Sequence, residues 1–291
     1  MQKKIHRTDG KFRNPTGSHS FFLPERAMSL FRKFLFPPPS SLFVNAMSFI
    51  GAISLCAIGF GEIRGKHLNY SKFWRSNPEK NLKKENSISS TKGMLTVYTP
   101  AFVASMVSFG FIEWQLRPLL LSSTLALHFC KRIVEVLFVH RYSGGMMLDT
   151  SFLISLSYFL SSVTMIYSQS LTPGHPEPAL DLKYIGVPLF LLGITGNFYH
   201  HYLLSKLRKN QSDGYKIPSG GLFGLAVCPH YLFEILGFVG VTFIAQTLYA
   251  LAFTLGTISY LMGRSYATRK WYLAHFKDFP RERKALIPYI F

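Results

Sequence analysis

The sequence predicts an all-α, polytopic membrane protein with seven transmembrane helices, and three observations predict it. Of the 291 residues 48% are hydrophobic and only 16% are charged. That is well under the quarter usual in soluble domains, so the chain has too little polar surface to cover itself in water. Several apolar runs reach the roughly 20 residues that cross about 30 Å of hydrocarbon. The 32 Lys and Arg, against 14 Asp and Glu, mostly flank those runs, as topology signals do. They do not alternate with aromatics along one stripe, which excludes a nucleic-acid interface.

In chain order, residues 1–27 are polar, basic and rich in Ser, Gly and Pro, which predicts a flexible extension. A fresh start follows at Met28 (MSLFRKFLFPPPSS), so the extension reads as an unprocessed leader or an upstream start, and 1–40 is set apart from a bundle domain at 41–291. The predicted spans are 41–61, 94–113, 118–139, 151–170, 184–205, 225–245 and 246–263. Between them, the loop at 62–93, the loop at 206–221 and the tail after 263 carry the Lys and Arg excess, whereas the connections at 114–117 and 171–183 carry one basic residue each. Seven spans put all three basic segments on one side, which predicts a cytosolic C terminus; six would split them. Cys56, Cys130 and Cys228 are scattered in apolar sequence and read as small buried hydrophobes.

Ionisable groups in the middle of a span cost about 2.5 to 3.5 kcal/mol each and are functional candidates by default. The third span has Lys131, Arg132 and Glu135, and the i+3 and i+4 spacings put both cations on the face of the carboxylate. Such a cluster suits a cationic lining for a phosphate-bearing cofactor or a proton relay; it would equally brace the bundle. In the fifth span Asn197, His201, Leu204 and Arg208 follow one helix face. The planar fork of an Arg at its end suits phosphate. Next, DGYKIPSGGLFGLAVCPHYLFEI has Gly220 and Gly221 for a tight turn and Pro229 to break the apolar run, with His230, Tyr231 and Glu234 just past the break. A phenol beside a carboxylate and opposite buried cations is a plausible proton donor. Arg264, Tyr272 and Arg283 follow on the cytosolic side. There is no GxGxxG, P-loop or GxSxG text, and apart from His200 and His201 the histidines outside the extension stand singly, so no metal is expected.

From about Leu125 to Phe291 the chain resembles the steroid 5α-reductase family, through LRK at 207–209, GYKIPSGGLF at 214–223, the Glu234 context and YLAHFKDFPRERKALIPYIF at the end. The resemblance implies a seven-helix bundle of the endoplasmic reticulum membrane, with a cofactor cavity open to the cytosol. It also implies NADPH-dependent reduction of a carbon–carbon double bond conjugated to a carbonyl in a lipid. The family's cofactor contacts map onto Arg132, Asn197, Arg208, Tyr215, Glu234, Arg264, Tyr272 and Arg283. Two further cofactor positions carry His201 in place of the family's Asp and His230 in place of its Asn. EVLFVHRYSGG at 135–145 and CPHYLFEI at 228–235 look like the very-long-chain enoyl-CoA reductase branch. There a Tyr and a buried Lys act in catalysis, which implies Tyr231 as proton donor with Lys131, and Glu234 as an orienting group. Steroid-reducing members carry a Gln-Glu pair where this chain has Val97 and Tyr98, so the substrate contacts are expected at Tyr98 and Glu135. The implied substrate is a 3-oxo-Δ4-steroid; the alternatives are a long-chain trans-2-enoyl-CoA and a polyprenol. A lipid-binding membrane scaffold without turnover is the rival, and the insertion cost of the cations argues against it.

Overall fold

In the computed structural model the described residues are 31–68, 70–73, 87–142, 144–207 and 214–291. The predicted extension up to residue 30, part of the basic loop at 62–93, and Arg208 lie outside them. The described chain is mostly helical: α1 (Leu42–Ile63), α2 (Ser90–Val107), α3 (Leu116–Val134), α4 (Leu148–Ser170), α5 (Lys183–Lys206), α6 (Pro229–Ala245) and α7 (Leu248–His275). One two-stranded antiparallel ribbon, β1 (Ser87–Ser89) with β2 (Gly145–Met147), is an addition to the all-α expectation; it pairs Ser87 with Met147 and ties the start of α2 to the start of α4.

Local chemistry explains most boundaries. Ser41 caps α1, its Oγ accepting from Val44 N at 3.4 Å, and Ser89 does the same for α2 through Lys92 N. α6 starts at Pro229, four residues later than the predicted span, because proline fits the first helical position, where its missing N–H is not needed. Gln246, left-handed at φ 48°, ends α6 and lets α7 begin two residues on. α7 runs twelve residues past the predicted 263 and carries Arg264 and Tyr272 on helix; its last turns pack against the tail.

Among the described residues, three helices are long and apolar enough to cross a membrane, against the seven spans expected: α1, α2 with the 3-10 turn at Ser108–Gly110, and α4. α1 shows a broad apolar outer face, with Leu42, Phe49 and Ile53 exposed. Small residues set the packing. A Cβ on Gly193 would meet Gly237 N at 2.3 Å, and one on Gly263 would meet Gly59 O at 2.1 Å, so α5 against α6 and α1 against α7 touch backbone to backbone.

Residues 31–40, expected to belong to the extension, dock at one end of the bundle. Phe36 N donates to Gln246 O at 2.8 Å and the Gln246 amide donates to Phe34 O at 2.6 Å. Arg117 completes this clasp, donating to Ile244 O at 2.6 Å, to Gln246 Oε1 at 3.0 Å and to Asp181 Oδ1 at 2.8 Å, and pairing with Glu177. Although burial works against it, the hydrogen bonds from Lys183 and the charge of Arg117 hold the Asp181 carboxyl below its ordinary value.

Candidate functional site

The candidate site grows from one irregularity in α3. The helix ends in a π turn, Glu135–Val139, in which His140 N donates back to Glu135 O at 2.7 Å. Such widened turns expose side chains that a regular helix would stack, and they recur at functional sites. Here Glu135 is fully buried and gathers its neighbours: Lys131 Nζ at 2.9 Å, Arg132 Nη1 at 3.0 Å and His201 Nδ1 at 3.0 Å. A buried carboxylate survives only with such partners. Arg132 also donates to Tyr98 Oη at 2.5 Å, and Lys131 donates to Asn197 Oδ1. Asn197 Nδ2 in turn donates to His230 O at 2.7 Å, which couples α3 and α5 to the first turn of α6.

These groups border a cavity of about 1070 Å³ inside the bundle. Tyr249 and Trp271 both line it and stand 22 residues apart on α7, which is about 33 Å at the α-helical rise. At one end the walls are polar and aromatic: Arg132, His201, His230, Lys72, Tyr215 and Tyr272. Toward the starts of α1 and α7 they are apolar, from Met47, Ile50, Leu55 and Phe253. Between the two stand Tyr98, Tyr231 and Glu234, with Tyr70, Tyr158 and Tyr260. The Tyr70 and Tyr260 hydroxyls are 2.6 Å apart.

Arg264 enters from α7. It donates to Glu62 Oε1 at 2.7 Å and lies 4.3 Å over the rings of both Tyr70 and Phe73. Glu62 also meets His67 Nδ1 at 2.6 Å. The segment 214–224 borders the polar end. Gly220 (φ 85°) and Gly221 (φ 51°) occupy left-handed backbone that favours glycine. A Cβ on Gly221 would lie 2.8 Å from His200 Nε2, the atom that accepts from Leu222 N at 3.1 Å. Tyr272 Oη donates to Lys216 O at 3.4 Å and Arg283 Nη1 to Pro218 O at 2.9 Å. Lys72 lies 4.3 Å over Tyr272 and 5.3 Å over Trp271.

Of the residues singled out from sequence, Tyr98, Arg132, His201, Tyr215, His230, Tyr231, Glu234, Arg264 and Tyr272 line this one cavity. Lys131, Glu135 and Asn197 stand behind its wall and reach it through Arg132, His201 and His230, and Arg283 braces the segment 214–224. Arg208 lies outside the described residues. Sequence reasoning missed Glu62, Lys72, His140 and Trp271. Glu62 had a signal, since a lone carboxylate at the end of an apolar run needs a cation. Lys72 and Trp271 had none, because their aromatic and cationic faces meet only in three dimensions.

The model of the 3-oxo-5-alpha-steroid 4-dehydrogenase family matches residues 145–291, just over half of the chain. The chain belongs to this family. It is 32% identical over 204 residues to 3-oxo-5-alpha-steroid 4-dehydrogenase 2 of Rattus norvegicus, a match covering 66% of this chain and 77% of that one. With the Very-long-chain enoyl-CoA reductase of Dictyostelium discoideum it shares 33% identity over 166 residues, 57% of this chain and 55% of the relative. With Steroid 5-alpha-reductase DET2 of Gossypium hirsutum it shares 42% over 107 residues, 36% and 42% of the two chains. Against the last two the chain spans only about half of the relative's length. The family match begins within β2 and so takes in α4 to α7 and the tail, which supply His201, His230, Tyr231, Glu234 and Arg264; the Glu135 cluster lies upstream of it.

The polar end fits a dinucleotide phosphate. Arg132, Arg264 and Lys72 bring cations to the wall, Tyr215, Trp271 and Tyr272 offer flat faces, and His230 Nδ1 is buried with no hydrogen-bond partner among the described residues. An orphaned ring nitrogen at a cavity wall is a ready contact for a ligand group.

Proposed function

We propose that this 3-oxo-5-alpha-steroid 4-dehydrogenase family member is an NADPH-dependent reductase of a carbon–carbon double bond conjugated to a carbonyl in a membrane lipid. One observation carries the reading: a single cavity joins a cationic, aromatic end to an apolar end, with Tyr98 and Tyr231 among the phenols at the junction. A soluble, phosphate-bearing cofactor and a lipid need opposite surroundings, and this cavity offers both along one axis.

NADPH, when bound, would supply the hydride. The chain's own residues do the rest. Arg132 and Arg264 hold phosphate charge, and Tyr215, Tyr272 and Trp271 hold flat groups at the polar end, while Arg283 keeps the segment 214–224 beside them. Arg208 belongs to the same set on the family resemblance. His201 and His230 offer ring nitrogens to the ribose and amide groups of such a ligand, and Asn197 keeps the His230 backbone in place. Tyr98 accepts from Arg132, so its own proton is left to donate to the substrate carbonyl. Glu135 backs that contact through Arg132, and Lys131 supports Glu135. Tyr231 gives the proton to the substrate carbon, with Glu234 one turn away orienting it. General acid catalysis of this kind contributes roughly 10² to 10⁴ in rate.

A phenol at Tyr98, where steroid-reducing relatives carry a carboxylic acid, keeps a long-chain enoyl thioester in play beside a 3-oxo-Δ4-steroid. We place the protein in the endoplasmic reticulum membrane with all seven helices crossing and the C terminus cytosolic. The three long apolar helices and the one-sided distribution of basic loops support that placement. The deciding experiment offers microsomes bearing this chain a 3-oxo-Δ4-steroid and a trans-2-enoyl-CoA in parallel and follows NADPH. Turnover of either that falls about 10²-fold in Tyr231→Phe supports the reading. Bound NADPH without turnover of either overturns the substrate assignment, and no NADPH binding overturns the reductase.

A further inference from the structure

Reducing one double bond takes a hydride and a proton. If Tyr231 gives the proton, resting on the reading above, a phenolate is left inside the bundle and must be reprotonated before the next turnover. Three imidazoles stand in a row from that phenol toward the surface. The His230 ring is 4.2 Å from the Tyr231 ring, centroid to centroid, the His201 ring 5.4 Å from His230, and the His140 ring 4.8 Å from His201. No hydrogen bond joins one ring to the next among the described residues, so at these spacings a water would bridge each step. All four side chains line the same cavity.

Each ring has what proton passing needs. His201 Nδ1 faces an acceptor, Glu135 Oε1 at 3.0 Å, and a donor, Arg132 Nη1 at 3.1 Å, so either tautomer finds a partner. His230 Nδ1 has no hydrogen-bond partner among the described residues. His140, 3.9 Å from Glu135, keeps 16% of its side chain exposed beside the exposed Arg141, which puts the outer end of the row at water. The other titratable groups around the row include Lys131 of α3, Tyr98 of α2, Tyr142 before β2, His200 of α5, Glu234 of α6 and Lys72.

We propose that His140, His201 and His230 return a proton from solvent to Tyr231 after each turnover. The Tyr231 O–H bond breaks as a C–H bond forms at the substrate, the electron pair for the second C–H bond arriving as hydride from the reduced nicotinamide. The phenolate then takes a proton from His230, His230 from His201, His201 from His140, and His140 from water. Net, one solvent proton enters per double bond reduced.

The test separates the first turnover from the later ones. In stopped flow, His140→Phe should keep wild-type NADPH affinity by fluorescence titration and a wild-type first turnover, while steady-state turnover falls about tenfold or more, the scale of a lost proton-transfer group. Added imidazole should restore it and deuterated solvent should slow it further. His230→Asn, which keeps a polar side chain at the inner end of the row, should also lower steady-state turnover more than the first turnover. Steady-state turnover unchanged in His140→Phe, or a first turnover that falls in step with it, overturns the proposal. Tyr231→Phe run alongside tells the two readings apart: a wild-type first turnover there removes Tyr231 as donor, whereas a slow one with His140→Phe unaffected removes the relay alone.

Discussion

Arg117 and Arg132 stand near opposite ends of α3, both with side chains largely withdrawn from solvent, and they differ in what surrounds them. Arg117 is enclosed by the chain: two backbone and side-chain acceptors at the α6 to α7 junction and two carboxylates from the connection before α5. It borders no part of the cavity, and its work is to hold residues 31–40, the connection and the helix junction together. Arg132 is balanced by Glu135 on one side but faces the cavity on the other, beside Tyr98 and His201. Burial and charge alone therefore do not mark a functional arginine in a membrane bundle. An open side does.

Removing each arginine should separate the two roles. Arg117→Met leaves the buried Ile244 carbonyl without this donor and two partly exposed carboxylates without their cation, and the expected loss is about 1 to 3 kcal/mol of stability. Thermal unfolding in detergent should show it as the larger fall in Tm, with NADPH affinity of the folded fraction unchanged; an affinity that fell as well would break the comparison. Arg132→Met should weaken NADPH binding by about 1.5 to 3 kcal/mol, on the order of 10- to 150-fold, as for a charge-assisted hydrogen bond. Its Tm should fall less than that of Arg117→Met, because Lys131 and His201 still face Glu135. Gly221→Ala puts a Cβ into left-handed backbone and against His200 Nε2, and should cost about 1 to 2 kcal/mol. That loss should come with weaker NADPH binding if segment 214–224 closes the polar end. Asp181→Asn, at a partly exposed pair, should cost under about 1 kcal/mol in chemical denaturation. A larger loss would mean that the clasp around Arg117 is drier than its exposure suggests.

Much of the site was legible before the fold was known. Lys131, Arg132 and Glu135 share a helix face by spacing, and the structure pairs them. His201 and Asn197 share a stripe of α5, and both reach that cluster. Other features were illegible for a physical reason. The π turn at Glu135–Val139 is one extra residue in a helix, with no compositional mark. His140 and Lys72 sit in polar loop text, where a side chain that folds back onto the bundle looks like any solvated one. The docking of residues 31–40 rests on Gln246, whose amide is one polar group among many until its four partners are placed around it.

The sequence by itself pointed to a mostly helical chain with helices apolar enough to cross a membrane, to their approximate extent, and to the residue types a reductase site would need. Those follow from the length of apolar runs and from the cost of placing charge within them, both local quantities. The tertiary structure decided which charges face a cavity and which are sealed in protein. It also brought three histidines from α3's end, α5 and α6 into one row, and closed α5 on α6 and α1 on α7 through their glycines. These depend on close approach between residues tens to hundreds of positions apart, which no local pattern encodes.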